Sequence, residues 1–453
     1  MGFERWFNRT LNRVWGFIED RTGMPKWALR PQPQFSFKPS YWTGAFVVNA
    51  FLYQVVSGLL LLLYYQPSVN PTFLPCGQPS GALSVSPAAW CSTYYVIHSV
   101  PMGSLLLSTH LYGAYAMIFL AFVHFFRGYY MGVYKAPREL SWMVGTLLLL
   151  MTLGMGFTGY LLPYTQLSLN ATNVGVVLAL RLPTFGPLLG PFVLGDGTGQ
   201  GLLSRMFAAH VLLIPLALGA LLYAHIALFE SHGIAPPATS DPNQRRRFTE
   251  EEDKRHVPFM PHIVIYITKW ALLYVGLLIG IAALWPWNLP TFVGDLTATG
   301  VVTEPDWYFL WLFKLVDFYG VTPVIAVGGT TAIMLYVLFL PFLDRSKETH
   351  PRDRPLFLFI ANSLLGFFIL MTVWGGLTPG QQILLPEIAE RLGPIVLVNV
   401  LVVYLFYWRY RWRYRQRLAA QGQGNRLPGA YPVSSPTLAN SASSPAREAA
   451  SRE

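Results

Sequence analysis

The chain has 453 residues, of which 53% are hydrophobic and only 12% charged, and it carries a formal net charge of +10. Such a composition excludes a string of ordinary soluble domains and fits a membrane protein. The basic excess does not point to nucleic acid, because it is sorted by side along the chain in the order described next.

Residues 1–40 open with MGFERWFNRTLNRVWGFIED. This stretch is basic and amphipathic, the pattern of a helix lying on the cytoplasmic membrane surface rather than of a cleavable signal. Apolar runs then predict membrane spans at Tyr41–Tyr65, Met102–Tyr130, Trp142–Leu162, Met206–Phe229, Ile263–Leu284, Val324–Leu340, Leu356–Trp374 and, with only 14 residues, Ile395–Trp408. Most reach the roughly 20 residues that a helix needs to cross about 30 Å of hydrocarbon. With eight spans, 27 of the 32 Lys and Arg residues fall on one side. That is the positive-inside pattern, so both termini are expected in the cytoplasm. The basic run RYRWRYRQR after the short eighth segment supports counting it as a span.

The expected organisation is an all-α membrane protein with eight transmembrane helices. It comprises a surface segment over 1–40, a four-helix bundle over 41–235, a cytoplasmic linker over 236–262, a four-helix C-terminal half over 263–410 and a basic, then disordered, tail over 411–453. The only two cysteines, Cys76 and Cys91, share the uncharged loop after the first span, on the side where disulfides persist. A bridge between them is expected; two unrelated thiols are the alternative.

The first half repeats itself at an offset of about 100 residues. Gly44 and Gly58 on the first span answer to Gly145 and Gly159 on the third, and His110 and His124 on the second answer to His210 and His225 on the fourth. Fourteen residues is nearly four helical turns, so His110 and His124 share a face about 21 Å apart along the axis. If the second and fourth spans face one another, two stacked bis-histidine sites result. Zinc gains little from two ligands, whereas haem needs two axial nitrogens and brings its own equatorial four. The glycines add clearance for a flat macrocycle between helices. Pro215, within the fourth span, is expected to kink it. A lone buried histidine more often serves interhelical hydrogen bonding; four in register, with the other five histidines left to loops and span ends, favour cofactor ligation.

These residues resemble the cytochrome b family, the dihaem membrane subunits of cytochrome bc complexes. The resemblance spans about residues 38–376 and includes the glycines and histidines, Arg127, GYLLPYTQLS (159–168), GQGLLSRMFAAH (199–210), PDWY (305–308) and PFLDRSKETHPRDRP (341–355). The 15-residue step from His210 to His225 and HGIAPP after the fourth span look most like the split photosynthetic form, here joined in one chain. The resemblance implies two non-covalent b haems, an outer one on His110 and His210 and an inner one on His124 and His225, with Arg127 meeting an inner propionate. It implies a quinol-oxidation pocket around Asp306 and Tyr308 of PDWY, walled by Phe157 and Tyr160. An N-terminal helix cap is the plain alternative for Asp306.

The family usually has glutamate at the Asp306 position, an arginine where Leu107 stands and a tyrosine where Phe313 stands. Trp42 occupies the place of the cysteine that attaches a third haem in the photosynthetic form, so no such haem is expected. Glu230 and His232 are candidates for an inner quinone site. The implied activity is quinol–cytochrome c oxidoreduction with bifurcated electron transfer, proton translocation, a Rieske-type iron–sulfur protein, a c-type cytochrome and membrane quinone as partners. A homodimer of complexes in a prokaryotic inner membrane is implied as well. The rivals are a dihaem anchor passing electrons between quinone and a dehydrogenase, which would need neither PDWY nor the second half, and a transporter using the histidines as a proton relay.

Overall fold

The structure, a computed structural model, describes residues 31–420 apart from 78–80, 182–184, 189, 196, 240–255 and 291–303, together with a few positions among the first thirty. The surface helix expected within 1–40 and the tail from 421 onward therefore lie largely outside the described residues, as does most of the 236–262 linker.

In chain order the helices are α1 (Thr43–Leu62), α2 (Ala88–Ser99), α3 (Gly103–Tyr130), α4 (Glu139–Leu161) and α5 (Gln166–Leu180). Two single-turn helices follow, then α6 (Gly199–His232), α7 (Val264–Leu284), α8 (Trp307–Val316), α9 (Pro323–Leu343), α10 (Pro355–Leu377) and α11 (Leu385–Ala420). Eight are long and apolar enough to span a membrane: α1, α3, α4, α6, α7 with its leading turn from Phe259, α9, α10 and α11. Their outward faces are apolar: Leu213, Tyr223, Leu273, Leu343 and Leu377 are all exposed. In water such a surface would drive aggregation; in hydrocarbon it is the favoured exterior, and helices satisfy their own backbone polar groups there. This is a multi-pass membrane protein.

The eighth span differs from expectation in length. Its helix begins at Leu385, ten residues before the apolar run, and Glu387 and Arg391 pair at 2.9 Å along one face of that added stretch. Among the described residues there is also one small ribbon: β1 (Pro31–Pro33) pairs antiparallel with β2 (His256–Pro258), tying the N-terminal segment to the linker.

Within the first half α1 packs on α3 and α4 on α6. The C-terminal half closes around this bundle: α7 lies against α3, with the Tyr274 hydroxyl donating to the Gly113 carbonyl at 3.3 Å, and α9 lies against α4, with Trp142 Nε1 donating to the Val337 carbonyl at 2.7 Å. At the end where α1 begins and α3 finishes the halves are joined by buried charge. Asp344 accepts from Lys135 at 3.0 Å and, through its other oxygen, from Arg354 at 3.2 Å and Tyr134 at 2.5 Å. Burial alone would raise the Asp344 carboxyl. The hydrogen bonds from Ser346, Tyr134 and Lys135, with the Lys135 charge, hold it below its ordinary value. Arg354 also donates to the Tyr130 carbonyl at 2.7 Å, which explains what the PFLDRSKETHPRDRP segment is for: it plugs the base of the first half.

At the opposite end Cys76 and Cys91 form the expected disulfide, packed with Trp90. Both thiols should therefore resist alkylation in denatured protein until a reductant is added. The bridge closes a loop of 15 residues, so Cys91→Ser should lower the unfolding free energy by roughly 3 kcal/mol, measured by denaturant titration in detergent.

α6 is not a uniform helix. Residues Ala209–Leu213 form a π segment, and Pro215 stands just beyond it, at the start of the regular helix that carries His225. The kink expected at Pro215 thus takes the form of a π turn, which absorbs one extra residue. A 15-residue step containing one inserted residue turns the helix about as far as a 14-residue step in an ideal helix, so His210 and His225 keep the same facing relation as His110 and His124.

Candidate haem and quinol sites

The four histidines meet in two pairs. The rings of His110 and His210 have centroids 6.4 Å apart with planes at 79°, and those of His124 and His225 are 6.4 Å apart at 82°. Metal–imidazole bonds run about 2.0–2.1 Å and Nε2 lies about 1.1 Å from its ring centroid, so two imidazoles on one axially ligated iron have centroids about 6.3 Å apart. Both pairs match that separation. Among the described residues no group of three or more His, Cys, Asp or Glu side chains is placed to hold a bare metal ion. Two ligands per site suit a metal that arrives with its remaining ligands already attached.

The hydrogen bonds select the correct tautomer. His110 Nδ1 lies 2.8 Å from Ser57 Oγ, and that hydroxyl already donates to the Tyr53 carbonyl. The imidazole must therefore be the donor. His210 Nδ1 lies 3.1 Å from the Met155 carbonyl, which can only accept, and 3.2 Å from Thr158 Oγ1. His124 Nδ1 is 2.9 Å from Thr43 Oγ1. In His110 and His210 Nδ1 therefore holds the proton, and Nε2 keeps its lone pair for a metal. His225 departs from the pattern, since Val144 and not a hydroxyl residue precedes its glycine, and its Nδ1 turns toward the Ser141 carbonyl without reaching good hydrogen-bond geometry.

Each of the four glycines faces one of these rings. A Cβ on Gly44 would lie 3.1 Å from Cε1 of His124, one on Gly58 3.2 Å from His110, one on Gly145 3.1 Å from His225 and one on Gly159 2.6 Å from His210. The nearest constraint on the glycines is thus the imidazole edge, closer than the macrocycle clearance expected from the sequence. Of the four alanine substitutions, Gly159→Ala should be the most damaging, displacing His210 and lowering the haem held by that pair, while Gly58→Ala should be the mildest. Haem per chain and a redox titration of each variant would check the order.

Arg127, one turn beyond His124, stacks its guanidinium over Tyr41 at 4.5 Å from the ring centroid. Trp42 is a packed indole, its Nε1 donating to the Ser36 carbonyl at 2.5 Å. At the far end of α6, Glu230 is exposed, and His232 is tied to its own helix through Nδ1 at 2.7 Å from the Leu228 carbonyl. Two residues apart, they point about 200° from one another, so they do not converge on one site.

The PDWY residues do converge. Asp306 stands at the N-terminal cap position of α8, yet its side chain makes no capping hydrogen bond. Its Oδ1 accepts from Tyr115 of α3 at 2.6 Å and its Oδ2 from Tyr308 at 2.9 Å. Burial pushes its carboxyl above the ordinary value, while those two phenols pull it partly back. Tyr160 of α4 anchors the segment by donating to the Glu304 carbonyl at 2.8 Å. Gly156 makes room for Tyr308, whose hydroxyl would lie 2.7 Å from a Cβ there. Phe157 packs edge-on against Phe309, with centroids 6.1 Å apart, and fits against Gly175 of α5. Asp306, Tyr308, Tyr160 and Phe157 thus meet in one cluster where the two halves touch. The sequence reading missed Tyr115 and Gly156 here, and Thr43, Ser57 and Thr158 at the histidines. A signal for the last three existed, since each directly precedes one of the repeated glycines.

The chain matches a known family. The sequence profile "Cytochrome b(N-terminal)/b6/petB" matches residues 115–291, and "Cytochrome b(C-terminal)/b6/petD" matches 294–392. A cytochrome b from Sulfolobus acidocaldarius is 33% identical, the match covering 86% of this chain and 70% of the relative. A cytochrome bc complex cytochrome b subunit from Chlorobaculum thiosulfatiphilum is 30% identical, over 75% and 74% respectively. A menaquinol:cytochrome c reductase cytochrome b subunit from Geobacillus thermodenitrificans is 32% identical, matched over 99% of its own length by 50% of this chain. A solved chain described as a hyperthermophilic respiratory Complex III superposes with a TM-score of 0.65 at 25% identity, covering 86% of this chain and 96% of that one. The chain belongs to the cytochrome b family, as a haem-binding membrane protein that joins the N- and C-terminal cytochrome b regions in one polypeptide.

Proposed function

We propose that this chain is the cytochrome b subunit of a quinol–cytochrome c oxidoreductase, with one non-covalent b haem held by His110 and His210 and a second by His124 and His225. The observation that carries the haem assignment is the pair of 6.4 Å centroid separations, with Nδ1 engaged in three of the four rings. When bound, the two haems would supply one-electron transfer between the two sides of the membrane. The positive-inside distribution supports cytoplasmic termini in a prokaryotic inner membrane. On that orientation the His110–His210 pair is the outer one, and Arg127 is placed to meet a propionate of the inner haem.

Quinol is oxidised in the pocket of Asp306, Tyr308, Tyr160 and Phe157. There the Asp306 carboxylate, made more basic by burial, accepts a proton as the quinol O–H bond breaks. Of the two electrons released, one passes to a Rieske-type iron–sulfur protein and then to a c-type cytochrome. The other crosses to a quinone near the cytoplasmic end of α6, where either Glu230 or His232 contributes. Proton release on the outer side and uptake on the inner side make the turnover electrogenic, storing about 2.3 kcal/mol per charge per 100 mV. The complex works as a homodimer of complexes. A carboxylate cluster where the halves touch weighs against a simple dihaem anchor, which needs no such cluster. The test is the haem content of the purified chain: two haems per polypeptide, extractable by acid acetone, with two waves in a redox titration. One haem, none, or covalently retained haem would overturn the assignment.

A further inference from the structure

We propose that Tyr115 is a positioning residue for quinol oxidation: its hydroxyl holds the Asp306 carboxylate against α3 in the orientation and hydrogen bonding from which it takes the quinol proton. The inference rests on the reading of Asp306 as proton acceptor. The geometry is specific. The aspartate and tyrosine are 191 positions apart in sequence, and their 2.6 Å contact is the shorter of the two that the carboxylate makes with phenols. Tyr308 reaches Asp306 from only two residues away, on the same segment, so that hydrogen bond does not tie the carboxylate to the first half. Tyr115 can, because it projects from the helix that also carries His110 and His124.

Tyr115 is itself held in place. It packs against Tyr308 with centroids 6.3 Å apart and against Tyr112 at 6.4 Å, and the Tyr112 hydroxyl is fixed on the Trp285 carbonyl at 2.7 Å. Among the described residues the groups acting on Asp306 are Tyr115 from α3, Tyr160 from α4 and Tyr308 from its own segment, with no cation among them. In a site without a positive charge, phenol hydrogen bonds are what favour the ionised carboxylate. Removing one leaves the carboxylate harder to ionise, so protonated Asp306, which cannot accept the quinol proton, persists to higher pH.

The test is Tyr115→Phe in the assembled complex, with decyl-benzoquinol as donor and a c-type cytochrome as acceptor, assayed across pH with haem content as control. The acid limb of the quinol-oxidation profile should move to higher pH by about one to two units, since a hydrogen bond to a charged group is worth about that much. One pH unit below the parent limb the rate should fall roughly tenfold for a one-unit shift and roughly a hundredfold for two, and at high pH it should approach the parent rate. In an Asp306→Asn background Tyr115→Phe should produce no further movement of the limb. A uniform loss of rate at every pH, or a profile identical to the parent, would overturn the role of Tyr115. If Asp306→Asn alone leaves the acid limb in place, the proton-acceptor reading of Asp306 fails first and takes this inference with it. A limb that moves with Tyr115→Phe equally in both backgrounds assigns the titration to another group and also rejects the inference.

Discussion

Replacing His225 by Leu should leave the chain with one haem instead of two, the survivor held by His110 and His210. His225 packs on Gly145, and a leucine of similar bulk fills that space without creating a large void. His124 keeps its bond to Thr43 but loses its opposite ligand, so the inner site retains one axial nitrogen. The other pair has its own supports in Ser57, Thr158 and Met155, none of which touches His225. Haem per polypeptide should therefore fall from two to one, with one wave lost from the redox titration. The counterpart, His210→Leu, should remove the other wave. Loss of the outer wave in the His225 variant would show that the pairing is wrong; loss of both would show that one site cannot form without the other.

Asp306→Asn should slow quinol oxidation by a factor on the order of 10² or more, the contribution expected of a positioned base. The amide oxygen can still accept from one phenol, so haem content and folding should persist. If Asp306 were only a helix cap, Asn would be nearly silent and Ala would cost roughly 0.5–2 kcal/mol of local stability. The structure already removes the basis for that alternative, because the carboxylate is spent on Tyr115 and Tyr308 and caps nothing. Asn and Ala should consequently be alike in losing the titrating group from the pH profile. Asp306→Glu, which keeps an ionisable carboxyl at the cost of one added methylene, should retain substantial activity. Parent rates and an unchanged profile in the Asn variant would take Asp306 out of the mechanism and leave PDWY as a structural element of the pocket.

Hydropathy by itself determined the eight spans, because in hydrocarbon each helix must satisfy its backbone alone and a span is a local property of the chain. The 100-residue repeat determined which histidines pair, because helical periodicity turns a 14-residue spacing into a shared face. Tertiary structure decided what depends on neighbours remote in sequence. It showed that the glycines admit imidazole edges, and that Ser57, Thr158 and the Met155 carbonyl fix the proton on Nδ1. It showed that a π turn reconciles 15 residues on α6 with 14 on α3. The contacts of Asp344 with Lys135 and Tyr134, and the phenol from α3 on Asp306, join residues roughly 200 positions apart in different halves. No periodicity carries such contacts, since they exist only once the two halves pack, and the polarity of a lone tyrosine within an apolar helix does not say which partner it will meet.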